Sequence, residues 1–145
     1  MLSLYFALTV IIINPPIDFD RLCDTILIME SSGGINCEAR FEPRFLKNYG
    51  DKGNMPELRQ KYGDEAAASS YGCFQIMLST ANQFFSLSPE QLADPVQNRI
   101  VAEYLLHRYM NRYGSRKAAL WNIFKRWNGG SDYADKALSI YEHKS

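Results

Sequence analysis

The sequence predicts a mainly helical α+β domain with a small β-hairpin region, on three observations. Apolar residues recur at helical spacing, first in Phe19, Leu22, Cys23, Ile26 and Met29. Cap-proline-glutamine sequences open two further helices, at Ser88-Pro89-Glu90-Gln91 and Asp94-Pro95-Val96-Gln97. One short segment, Ala68 to Met77, carries a Tyr71-Gly72 turn signal and reads as a strand and turn.

Taken in order, the chain starts with the apolar run Leu2 to Ile13, rich in β-branched residues at Val10-Ile11-Ile12-Ile13. It is too short to span a bilayer as a helix and lacks the Lys/Arg start of an ordinary signal peptide. A packed arm, a degenerate or signal-anchor export segment, and an interface all remain open for it. Residues 1–17 are therefore set apart as an N-terminal arm or export segment, and residues 18–145 as one domain. Pro15-Pro16 breaks any earlier element, and Asp18 or Asp20 can cap the first helix. Gly33-Gly34 should end that helix, since glycine accepts the left-handed conformation of a C-terminus. Short helices are expected over Ala39 to Asn48 and Met55 to Tyr62. The Asp94 helix should run through Tyr113 to Gly114, Ser115 should cap the next through Phe124, and Tyr133 to Tyr141 should form the last.

Glu30 is the residue with the clearest chemical potential. It follows Ile26 by four positions, Cys23 by seven and Phe19 by eleven, so it points along the apolar face of the first helix. A carboxyl there is costly when ionised, which favours the protonated form and suits a general acid. A glutamate turned to solvent at a helix end is the plainer alternative.

Four segments in order then carry a resemblance. Glu30-Ser31 ends a helix, and Gly72-Cys73-Phe74-Gln75-Ile76-Met77 is followed by Thr80-Ala81. Asp94-Pro95-Val96-Gln97-Asn98-Arg99-Ile100 and Trp127-Asn128-Gly129-Gly130 complete the set. Together they resemble the lysozyme-like superfamily, in particular soluble lytic transglycosylases and goose-type lysozymes, from about Asp18 to Tyr141. The resemblance implies a lysozyme-like fold with its hairpin beside an active-site cleft, Glu30 as catalytic acid, and Ser31, Gln75 and Asn128 along the sugar cleft. Phe74 stands where transglycosylases usually have methionine, and Trp127 where they have tyrosine. The stretch between Glu30 and Gly72 is also longer, and its Ala39-Arg40-Phe41-Glu42-Pro43-Arg44-Phe45 is similar to an insert of phage and bacterial N-acetylmuramidases. Phe74 and Trp127 are aromatic enough to stack on sugar faces, with core packing the equal alternative for Phe74, and Tyr133 is a candidate for the cleft rim, with helix packing as the duller equal. Trp121 is read as core.

Composition narrows the field. At 145 residues the chain can bury ~70% of its unfolded surface without a disulfide. Sixteen basic and sixteen acidic residues cancel, so neither a nucleic-acid partner nor long-range steering to an anionic polymer is indicated. Arg108, Arg112, Arg116, Lys117, Lys125 and Arg126 read as a solvated helix face. Cys23, Cys37 and Cys73 are odd in number, and packing explains Cys23 and Cys73 better than chemistry does. His107 reads as a helix-surface residue. No Cys/His spacing suggests a metal site, and no cofactor is expected.

The resemblance implies a peptidoglycan-degrading glycosidase that cleaves the β-1,4 bond between N-acetylmuramic acid and N-acetylglucosamine. Glycosidases usually employ two carboxylates, ~6.5–9.5 Å apart in inverting enzymes. Glu42 is the first candidate for the second, with Asp51, Asp64 and Glu65 behind it. Its plainer reading is an ion pair with Arg40 or Arg44. With Glu42 the reaction is muramidase hydrolysis. Without it, either the substrate's own acetamido group assists, or attack by the sugar's own 6-hydroxyl gives the 1,6-anhydro product of a lytic transglycosylase. A catalytically silent lysozyme-fold module that binds glycan or scaffolds an assembly is the third reading. Peptidoglycan strands are the expected partner, no stable membrane span is expected, a monomer is expected, and the place of action is the bacterial wall or periplasm.

Overall fold

The computed structural model describes residues 13–143. Of the expected N-terminal arm, residues 1–12 lie outside the described residues. In chain order the helices are α1 (Phe19–Ser31), α2 (Pro43–Tyr49), α3 (Met55–Tyr62), α4 (Asp64–Ala67), α5 (Leu78–Ala81), α6 (Pro89–Ala93), α7 (Pro95–Tyr113), α8 (Leu120–Asn128) and α9 (Ser131–His143). The strands are β1 (Arg40–Phe41), β2 (Ser69–Tyr71) and β3 (Ile76–Met77), in one antiparallel sheet of order β1-β2-β3. The mainly helical α+β class is therefore correct. No helix among the described residues is long and apolar enough to cross a membrane.

The chain forms two compact units. Among the described residues, one comprises 13–26 with 104–143, the other Leu27–Glu103.

In the first unit, Asp18 caps α1 by accepting from the Arg21 N–H at 3.1 Å. Leu22, Cys23 and Ile26 are fully buried, as their spacing required. His107 is exposed and stacks on Phe19, with ring centroids 4.3 Å apart. Ser115 does not cap a helix. The Ile17 N–H donates to its carbonyl and the Lys117 N–H donates to that of Pro15, while Pro16 and Arg116 form an isolated antiparallel bridge. The chain therefore leaves Gly114 extended, makes a 3-10 turn at Lys117–Ala119, and starts α8 only at Leu120. Helices α8 and α9 pack on each other. Trp121 is half-buried, not core; its indole N–H donates to Asp135 at 2.8 Å.

In the second unit, Ser88 and Gln91 form the reciprocal capping box that opens α6. Asp94 caps α7 by accepting from the Gln97 N–H at 3.0 Å. The helix expected from Ala39 starts only at Pro43, because Arg40 and Phe41 pair with Ser70 and Ser69 of β2. Phe74, Ile76, Leu78 and Leu92 are buried around this hairpin.

Candidate active site

Glu30, Ser31, Glu42 and Gln75 belong to the unit Leu27–Glu103; Trp127, Asn128 and Tyr133 belong to the other. Glu30 lies in the last turn of α1 and is half-buried. A helix end leaves carbonyls without intrahelical partners. Here Ser31 and the residues that follow it supply the donors. The Ser31 hydroxyl and the Gly33 N–H both donate to the Leu27 carbonyl, and the Ser31 carbonyl accepts from Ile35 and Asn36. The Glu30 carbonyl accepts from Arg40 Nη2 at 2.8 Å, and the same nitrogen reaches the Asn36 carbonyl at 3.2 Å. A cation in this position also complements the negative end of the helix. The first left-handed residue is Ser32, with φ 54°, followed by Gly33 and Gly34. Ser31 is buried, and its oxygen also accepts from the Gly34 N–H at 2.9 Å, so its hydroxyl is engaged in closing the helix.

The segment after Glu30 is bound to the hairpin turn in two places. Cys37 and Cys73 form a disulfide with Cα atoms 4.3 Å apart, which corrects the reading of Cys73 as a packing residue. Cys23 is buried and lies outside this disulfide. Two positions along the turn, the Gln75 amide donates to the carbonyls of Glu38 (2.9 Å) and Gly72 (2.7 Å) and accepts from the Ser70 hydroxyl (2.6 Å). Gln75 is buried and holds a positive φ of 50°, a conformation tolerated where the surrounding bonds determine it. Its amide thus fixes the turn against the residues that follow Glu30.

Asn98 fixes the turn from its other side, a role that its place in the third motif did not reveal. Its side chain accepts from the Phe74 N–H at 3.0 Å and donates to the carbonyls of Tyr71 (2.8 Å) and Leu92 (3.0 Å). Gly72 is required beneath it: φ is +74°, and a Cβ there would lie 2.2 Å from Asn98 Cγ. The signal was available, because Asn98 shares the buried stripe of Val101, Ala102 and Leu105.

Glu42 is exposed immediately before α2 and makes no side-chain cap. The ion pair weighed for it with Arg40 or Arg44 is not formed among the described residues. Two of the reserve carboxylates are engaged by Arg59, which pairs with Asp51 at 2.9 Å and Asp64 at 2.8 Å. That hydrogen bond holds the Asp64 carboxyl below its ordinary value. Glu65 lines a cavity of about 470 Å³ with Tyr62, Ser69 and Tyr71.

In the other unit, Trp127 and Asn128 end α8. Gly129 follows at φ 95°, its N–H donating to the Lys125 carbonyl, and α9 begins two residues later. Trp127 is half-buried and meets the Tyr109 ring edge-on at 6.3 Å. Burial raises the Tyr109 phenol above its ordinary value, with the Arg126 charge opposing. Asn128 is exposed, and Tyr133 sits half-buried in the first turn of α9.

The family model "Transglycosylase SLT domain" matches residues 35–144. Searches of curated proteins and of solved structures return no significant match. A helix-end glutamate, a glutamine-bearing hairpin turn and the Asn128-Gly129-Gly130 junction thus stand in a chain that belongs to the transglycosylase SLT domain family, a peptidoglycan-acting family of the lysozyme-like superfamily.

Proposed function

We propose that the protein is a lytic transglycosylase acting as a monomer at the bacterial wall or periplasm. Glu30 protonates the bridging oxygen as the bond from the muramic acid C1 breaks. The 6-hydroxyl of the same sugar then attacks C1 and returns its proton to Glu30, leaving a 1,6-anhydro end. One carboxyl serves in both steps, so no second carboxylate is needed. The observation that carries this choice is the transglycosylase family match over residues 35–144. The matched span starts beyond Glu30, whose role rests on its place at the end of α1, held through its own carbonyl. Ser31, Gln75, Trp127, Asn128 and Tyr133 are the proposed glycan-side residues, with Ser31 and Gln75 acting mainly by shaping backbone that the glycan meets.

Muramidase hydrolysis is the second reading. It is favoured by the exposed Glu42 carboxylate, which is free of an ion pair among the described residues and accessible to activate a water. Lysis of purified murein in a zymogram tests the shared part of both readings. Glu30→Gln should keep the fold and lose activity by ~10²–10⁴-fold. Near wild-type clearing by a folded Glu30→Gln protein would refute Glu30 as the acid.

A further inference from the structure

We propose that the outward side of the Arg40 guanidinium binds a carboxylate of the peptidoglycan substrate; this rests on the reading of the chain as a peptidoglycan-cleaving enzyme. Arg40 is exposed and lies on β1, where its pairing with Ser70 sets the backbone. Its Nη2 donates to the carbonyls of Glu30 and Asn36, both neutral acceptors. The guanidinium is thereby held in place without its charge being neutralised.

Two other arginines are held by carboxylates instead, whereas Arg116, like Arg40, donates to a main-chain carbonyl, that of Asn14. Arg59 is satisfied by Asp51 and Asp64, and Arg99 by Glu103. No carboxylate lies within 4.0 Å of Arg40 among the described residues, and its Nε and Nη1 donate to none of them. A guanidinium offers paired N–H groups that match a carboxylate. The sugar rings of the glycan are neutral; its anionic groups are the carboxylates of the stem peptides or, where these are absent, of the lactyl ether. The chain's net charge of zero supplies no general attraction to such a polymer, so recognition has to be local. Because Arg40 is bonded to the Glu30 main chain, a carboxylate held there is positioned beside the proposed acid.

The test measures co-sedimentation with purified sacculi, using Glu30→Gln protein so that the wall is not digested. Three substrates are compared: intact sacculi, sacculi with carboxylates converted to amides, and peptide-stripped glycan bearing free lactyl carboxylates. Amidation should weaken binding about 3–10-fold, and Glu30→Gln/Arg40→Gln should bind intact and amidated walls alike. The stripped glycan assigns the source: tight binding identifies the lactyl group, weak binding the peptide. Equal binding of the Arg40-containing protein to intact and amidated walls, or the same drop in the Arg40→Gln protein, overturns the proposal. A second measurement leaves Arg40 in place. Phenylglyoxal modification of Arg40, read by peptide mass spectrometry, should fall with soluble carboxylate-bearing muropeptides and not with amidated ones. Unchanged modification would overturn the proposal even if Arg40→Gln failed to fold. A folded Glu30→Gln protein that still lyses walls removes the assigned acid, while the phenylglyoxal measurement with soluble muropeptides is read independently of it.

Discussion

Replacing Gly72 with alanine should be among the most damaging single-methyl changes in the chain, for two separable reasons. The first is backbone strain: φ at this position is +74°, and a left-handed conformation costs an L-residue about 1–2 kcal/mol. The second is collision, since the added Cβ would sit 2.2 Å from Asn98 Cγ. Asn98 is buried and bonds Phe74, Tyr71 and Leu92, so moving it disturbs three hydrogen bonds. Each contributes about 0.5–1.5 kcal/mol, and losing two of them adds about 1–3 kcal/mol. The sum, about 2–5 kcal/mol, is a large share of an ordinary domain's 5–15 kcal/mol. Gly53→Ala is the control, because φ there is +56° and nothing lies within 4 Å of the added Cβ. Urea unfolding followed by circular dichroism should show a Gly53→Ala loss of about 1–2 kcal/mol and a clearly larger one for Gly72→Ala. Equal losses would show that Asn98 does not hold the turn as described.

Two further outcomes follow from the same geometry. Cys37→Ser or Cys73→Ser opens a link across 36 positions and should lower stability by about 3–4 kcal/mol on the chain-entropy model; a thermal midpoint in the wild type indifferent to thiol reductant would contradict the bond. Asp64 is held below its ordinary value of 3.8 by Arg59, so the pair's stabilisation is present above that pH and lost as the pH falls through the lower folded value. The difference between wild type and Arg59→Gln in urea midpoint should therefore be constant from pH 5 to 7 and shrink below pH 4; a difference that grows on acidification would reverse the assignment.

The helical framework was legible wherever local signals decide it. Spacing placed Glu30 on α1, and Ser88 with Gln91 announced a capping box that forms as written. What escaped was set by partners distant in sequence. Arg40 and Phe41 become a strand because Ser69 and Ser70 lie beside them, and Ser115 is taken up by Ile17 instead of capping a helix. Cys37 and Cys73 gave no local sign of their pairing. Gln75 was picked out by motif order, yet its bonds to Glu38 and Ser70 and its positive φ depend on the completed hairpin. The Arg40 bond to the Glu30 carbonyl likewise appears only once the chain after α1 has turned back.

Mass spectrometry of the muropeptides released from purified murein tests the proposed reaction most directly, since it reports activity and chemistry together. Wild-type protein should release fragments ending in 1,6-anhydro-N-acetylmuramic acid, and folded Glu30→Gln protein should release essentially none. Fragments ending only in reducing N-acetylmuramic acid would contradict transglycosylation and return the chemistry to hydrolysis, with Glu42 as the next residue to replace.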